Sequence, residues 1–277
     1  MKTKNKFESG FTLIEIAIVL LIVAILLGYT VALFPIQQEL KQYRQVEEEM
    51  DDILNQLIGF AQINGRLPCP DTSGGAGPGV IDGQEDSIDA IINATGIAGT
   101  DNSPDGCEAY FGFVPAGTLG LNGDFDANRN LLDPWGQPYR YHISNFDAAG
   151  LPAIDLVSPN GIRNEGLAAV APDLNVCTTS LNATATNSTC AEAGVGGNNV
   201  VTGVAVVLIS TGKDQGRVAG ISTIQAENLD DFHNGANDKV YTASTRSDVS
   251  AAEYDDVVKW ISPNLLFSKM IEADQLP

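Results

Sequence analysis

The sequence predicts an α+β protein: a long N-terminal α-helix, with a membrane-type apolar half and an amphipathic half, packed on an antiparallel β-sheet head with long loops. Three observations carry that class. Residues 16–34 form an uncharged apolar run of about 19 residues, the length of a membrane-spanning helix. Leu40, Tyr43, Val46, Met50, Ile53, Leu54, Leu57, Phe60 and Ala61 then recur at spacings of three and four, which draws one apolar stripe along a helix. From residue 71 onward the apolar runs are short and are separated by Gly, Asn, Asp and Pro, which is the pattern of strands and loops.

Taken in order, a single helix from residue 11 to about residue 63 would be about 80 Å long. Pro35 is placed to kink it. The side opposite the apolar stripe carries Glu39, Lys41, Arg44, Glu47, Glu48, Asp51 and Asp52 and reads as a solvated face. Asn64-Gly65 is a stop signal, and Leu67-Pro68-Cys69-Pro70 cannot continue the helix. Strands are expected at 111–115, 139–144, 153–158, 200–210, 239–243 and 256–261, with 204–209 apolar enough to be buried on both faces. A short terminal helix is expected at 263–271, with Ser262 as its N-cap and Pro263 in its first turn. Residues 71–106 and 172–199 are expected to be surface loops.

Charge and cysteine usage bound the environment. The chain has 277 residues and a formal charge of −20, which disfavours nucleic acid as a partner. Four cysteines without a C-x-x-C spacing read as two disulfides in an oxidising compartment, not as a zinc ribbon or a thioredoxin-type site. Three pairings are open. Cys69 with Cys107 and Cys177 with Cys190 close the shorter loops and are the favoured pair.

The most specific stretch is the start. Lys2, Lys4 and Lys6 precede Gly10-Phe11-Thr12-Leu13-Ile14-Glu15, and Glu15 stands as a lone carboxylate at the mouth of the apolar run. A carboxylate at the centre of such a helix costs about 2.5–3.5 kcal/mol, so it calls for a partner. A secretory signal peptide has an apolar core of roughly 7–15 residues followed by a small-residue cleavage site. This run is longer and ends in Phe34-Pro35. The segment resembles the prepilin leader of the type IV pilin and type II secretion pseudopilin superfamily, and the pilin fold it implies is the α+β arrangement above.

In that family a prepilin peptidase cuts after the Gly and methylates the next residue, here Gly10 and Phe11. The resemblance further implies that Glu15 meets the new terminal ammonium of a neighbouring subunit during assembly. It divides the chain into a leader (1–10), a transmembrane and filament-core helix (11–35), its amphipathic continuation (36–64) and a periplasmic or extracellular head (65–277). Losing residues 1–10, with three Lys and one Glu, removes two net positive charges from −20 and leaves about −22. The lysines place the N-terminus in the cytoplasm and the head beyond the bacterial inner membrane, from where the protein would enter a pilus or pseudopilus.

Three further segments carry likeness. Asp133-Pro134-Trp135-Gly136-Gln137-Pro138-Tyr139-Arg140-Tyr141 is similar to a turn and strand of the major pseudopilin. Ile209-Ser210-Thr211-Gly212-Lys213-Asp214 is similar to its Ser-x-Gly-x-Asp segment, and residues 255–264 are similar to the tail of large pilin-like proteins. Physically, Asp-Pro opens a turn, Gly136 tolerates positive φ, and Trp135 can cover the core.

Two acidic sets have the oxygen-rich composition that calcium prefers. One is Asn122, Asp124, Asp126, Asn128, Asn130 and Asp133. The other is Asp214, Asp230, Asp231, Asn234, Asn237 and Asp238, placed where the major pseudopilin has its calcium loop. His142 and His233 are the chain's two histidines and stand in no catalytic motif, so no enzyme is expected and His142 reads as a strand residue.

The function expected is a structural subunit, a minor pilin or pseudopilin. Its partners would be other pilins, the prepilin peptidase and an inner-membrane assembly platform. The presence of Glu15 argues against the tip-most subunit, which in the secretion family lacks that acid. The alternative is a membrane-anchored, calcium-dependent surface- or carbohydrate-binding module.

Overall fold

The computed structural model describes residues 12–72, 82–88, 106–145, 156–158, 161–165, 170–178, 190, 199–214, 225, 228, 239–248 and 253–276. The chain forms two compact units, Met1–Gln45 and Val46–Pro277, and helix α1 (Leu13–Asn64) contributes to both.

In the first unit α1 is apolar all round from Ile16 to Leu27. Large side chains from Leu13 to Leu27 are between 43 and 87 % exposed, so nothing among the described residues covers them. A helix of this composition needs an apolar surround supplied from outside. No helix among the described residues is long and apolar enough to cross a membrane. The side chains described in the apolar run are those of residues 13–28, short of the roughly 20 residues a span requires.

In the second unit the C-terminal part of α1 becomes one wall of a core. Val46, Met50, Ile53, Leu57 and Ala61 are buried, spaced so that each lies above the last. Leu54 and Phe60 flank them, partly buried, whereas Leu40, in the other unit, is half exposed. The helix stops where Gly65 takes φ +68 and its N–H returns to Ala61 O at 2.9 Å.

A four-stranded antiparallel sheet packs on this stripe. Its order is β3 (Phe111–Phe113), β4 (Arg140–Ile143), β7 (Val206–Ser210), β9 (Val257–Ile261). Tyr141, Ile143, Val206, Leu208 and Ile261 enter the core shared with α1. Val207 and Ile209 point the other way and join a second core with Leu174, Val176, Val204 and Tyr241 of a three-stranded sheet. That sheet is ordered β6 (Asn199–Val204), β5 (Leu174–Cys177), β8 (Val240–Thr242), and every residue of β7 is accordingly buried. Short elements complete the unit: β1 (Ser87–Ile88) paired with β2 (Gly106–Cys107), α2 (Ala116–Leu119), α3 (Gly161–Glu165) and α4 (Pro263–Glu272). Ser262 Oγ accepts from Leu265 N, capping α4 behind Pro263 as expected.

Four expectations need correction. The strand expected at 200–210 is two strands in different sheets. Ala205 and Val206 both enter the helix-side core, so the in–out alternation slips and the chain changes sheet, helped by Gly203 at φ +66. The described part of the strand expected at 153–158 is a turn, with Leu156 and Val157 buried and Leu156 O accepting from Leu67 N at 2.7 Å. The loops expected at 71–106 and 172–199 contain β1 and β5, and β5 is wholly buried despite Asn175 because the Asn amide serves Gly203 N and Asp173 O. The sheets are not all antiparallel, since β5 and β8 run parallel.

The disulfides join Cys69 to Cys107 and Cys177 to Cys190. The first ties the end of α1 to β2, and the second closes a 13-residue separation beside β8. Truncating the core stripe tests its weight. Leu57→Ala should lower the unfolding free energy by about 2–5 kcal/mol in chemical denaturation, whereas Gln56→Ala on the exposed side should change it by less than about 0.5 kcal/mol.

Candidate functional site: the N-terminal acid and the carboxylate-capped head

Glu15 lies in the first turn of α1, where the helix dipole favours a negative charge. Thr12 precedes the helix and receives Glu15 N–H on its carbonyl at 3.1 Å and on Oγ1 at 3.4 Å. Thr12 is therefore the N-cap and Glu15 the third helical residue, the spacing of a capping box. Sequence reading treated Thr12 only as a letter of the motif, although T-x-x-E ahead of an apolar run is the signal for that role. Glu15 itself is exposed, and no described side chain pairs with it. Gly10 and Phe11 lie outside the described residues.

The three body segments picked out by sequence meet one another in the head. Asp133 caps its own turn: Oδ1 accepts from Trp135 N and Gln137 N, both at 2.9 Å, and Gly136, at φ +82, donates to Asp133 O. Its Oδ2 accepts from Ser210 Oγ at 2.7 Å, which joins this turn to the end of β7. One residue pair further on, Gly212 stands at φ +65 where an added Cβ would lie 2.6 Å from the Asp255 carboxyl carbon. Asp255 accepts from Lys213 N at 2.8 Å and from Gln225 Nε2. Asp256 accepts from Asn228 Nδ2 at 2.7 Å, and Asn228 also clamps both the N–H and the carbonyl of Thr242. Burial pushes the Asp133 carboxyl up, against the pull of Ser210 and the two amides.

The calcium expectations fare differently. In the first set Asp126 is occupied as a turn cap, accepting from Asn128 N, Asn130 N and Asn130 Nδ2, and Asp133 is turned to Ser210. Both carboxylates thus accept from amides of their own turns, whereas Asn130 Oδ1 is buried without a partner among the described residues. In the second set Asp230, Asp231, Asn234, Asn237 and Asp238 lie outside the described residues, and Asp214 is described in its backbone alone, in a 3-10 turn. Among the described residues no group of three or more His, Cys, Asp or Glu could hold a metal ion. His142 sits between the two sheets bonded to Tyr241 Oη, and burial, reinforced by Lys239, lowers its pKa to about 3. It is a neutral core residue. His233 lies outside the described residues.

A carboxylate missed from sequence is Asp71. It is fully buried after the first disulfide cysteine, with Oδ2 accepting from Gly83 N at 2.8 Å and Oδ1 without a partner among the described residues. Burial first, then Asp86, Asp82 and Asp126 around it, raise its pKa to about 7. The sign follows directly: the folded state holds a proton that the unfolded chain releases near pH 4, so this contribution is present in acid and lost as pH rises through about 7. Melting temperature should therefore fall between pH 5 and pH 8, and Asp71→Asn should flatten the fall and melt higher than wild type at pH 8. Asp133→Ala, which orphans two amides and a hydroxyl, should cost about 3 kcal/mol in the same assay.

No curated protein and no solved structure matches the chain. Residues 5–31 match the family model of the prokaryotic N-terminal methylation motif, a motif that goes with structural subunits, prepilin peptidase processing and pilus-like assembly. The chain thus opens with a prepilin segment of the type IV pilin and pseudopilin kind.

Proposed function

We propose that the protein is a minor pilin or pseudopilin, made as a prepilin, cut after Gly10, methylated on Phe11 and assembled by packing of its N-terminal helix among those of other subunits. Residues 11–35 would anchor it in the inner membrane before assembly, with the lysines on the cytoplasmic side and the head outside. The observation that carries this reading is the bare apolar stretch of α1 from Leu13 to Leu27 with its single acid, Glu15, in the opening turn. Neither is satisfied among the described residues. Apolar side chains exposed by two-fifths or more call for lipid or neighbouring helices, and Glu15 calls for a cation at the same depth. A freshly cut amino terminus on an adjacent copy supplies both the charge and the position.

The head supports a structural role. The segments that resemble pseudopilins are spent on joining strands to turns through Asp133, Ser210, Gly212 and Asp255. Such buried joints hold a scaffold in shape.

Processing is read by mass. Native protein should lack its first ten residues and carry one added methyl group, and N-terminal sequencing that begins at Met1 would refute the proposal. Glu15→Ala should still be cleaved, yet its yield in sheared filaments should fall at least about tenfold, the size set by an unpaired charge in hydrocarbon. Immunogold label confined to the cell membrane, with none along filaments, would favour the anchored binding module instead.

A further inference from the structure

We infer that Asp71 and Asn130, brought together around Gly83, form a site for one calcium ion in the head, with the carbonyl of Arg129 as a third ligand. The site goes beyond the filament reading and does not depend on it.

Two buried side-chain oxygens carry the inference. Asp71 Oδ1 and Asn130 Oδ1 have no hydrogen-bond partner among the described residues, in side chains of residues 0 and 2 % exposed. A buried acceptor without a donor is costly, and each one calls for a bound ion or water. The Asn130 amide has one sensible orientation, because its Nδ2 donates to Asp126 Oδ2 at 3.0 Å. Turning it over would set oxygen against carboxylate, so Oδ1 is the end left open.

Gly83 links the two residues. Its N–H donates to Asp71 Oδ2 at 2.8 Å, and a Cβ added to it would lie 3.2 Å from Arg129 O. Arg129 stands at φ +67, directly before Asn130, and no described N–H donates to its carbonyl. Three oxygens without donors therefore belong to one neighbourhood. Asp82, Asp86 and Asp126 stand around Asp71 and make that neighbourhood strongly negative. Arg66, the base nearest to Asp71 in sequence, is committed to Glu85 through two bonds of 2.7 Å. A cavity of about 310 Å³ opens beside Gly83 and Arg129, lined also by Gly117, Asn122 and Phe125, and supplies a route in and room for water ligands.

The donor set selects the ion. Among the described residues no three carboxylates, thiolates or imidazoles gather to hold a metal, which argues against zinc. One carboxylate, one side-chain amide, one backbone carbonyl and water are the mixed oxygen ligands that calcium accepts in flexible geometry. Magnesium demands a stricter octahedral shell and gives up its water reluctantly. Two members of the first acidic set thus take part, Asn130 as a ligand and Asp126 as the group that orients it, with Asp71 contributed from outside that set.

The test uses the full-length protein in detergent at pH 8. Equilibrium dialysis against about 1 mM radioactive calcium should find one more bound ion per chain in wild type than in Asp71→Asn or Asn130→Ala. The same calcium should raise the wild-type melting temperature by about 4 °C over a chelator, and that of either variant by less than about 1 °C. Asp71→Asn is the variant that folds well without the ion, since it removes an unmatched buried charge, and calcium should narrow its lead over wild type. Asp248→Asn, which removes an exposed acid beside Lys213, should keep the full calcium shift. Equal stoichiometry in wild type and both variants would overturn the inference and leave a buried water between the two oxygens. An equal shift with magnesium would also overturn it, as screening of a chain of charge −20.

Discussion

The second unit depends on one contact, the stripe Val46, Met50, Ile53, Leu57 and Ala61 against the four-stranded sheet. The helix supplies a residue at each turn, and Tyr141, Leu208 and Ile261 supply the facing surface. Tyr139 adds a bond from its hydroxyl to Glu49 at 2.6 Å, and Lys259 reaches back to the helix from β9. Everything further out is arranged relative to that sheet. The three-stranded sheet covers the far side of β7, and the turns at Asp133 and Gly212 lie at one end of the central strands. An amphipathic helix of this length has little stability alone, and its packed face is what holds it.

How much of this was legible in the sequence follows from how local each cause is. The helix, its stop at Gly65, the cap at Ser262 and the buried strand ending at Ser210 have local causes: period, a left-handed glycine, a hydroxyl before Pro, a run of β-branched residues. The disulfide pairing followed from loop length. The sheet switch at Ala205 was not visible, because an unbroken apolar run looks the same whether it serves one sheet or two. Strand β5 was hidden for the converse reason. Its four residues are interrupted by Asn175, whose amide is satisfied by partners about 28 positions away or across the strand end, and no window of sequence contains them.

The acidic residues of the head divide by what surrounds them, not by where they fall in a motif. Asp126 and Asp133 alternate with Asn as a cation loop would, yet each is filled by amide donors from its own turn. Asp255 and Asp256 look like a solvated pair and are instead buried clamps for Lys213 N and Asn228. Asp71 carries no sequence signal at all, and its unusual proton affinity comes first from burial and then from three carboxylates brought near it by the fold. A carboxylate that accepts several backbone bonds stabilises a turn.

Glu15 is the exception that gives the first unit its meaning. Buried acids in the head are each answered by a donor a few ångströms away in the same chain, whereas Glu15 is answered by nothing that the described chain holds. Among the described residues the same is true of the apolar side chains behind it. An ammonium for the carboxylate and an apolar surround for the helix are the complements that such a surface calls for. A head whose turns and strands are joined by buried carboxylates, and a helix whose apolar side chains and acid are left open, is the division expected of a subunit that assembles through its helix.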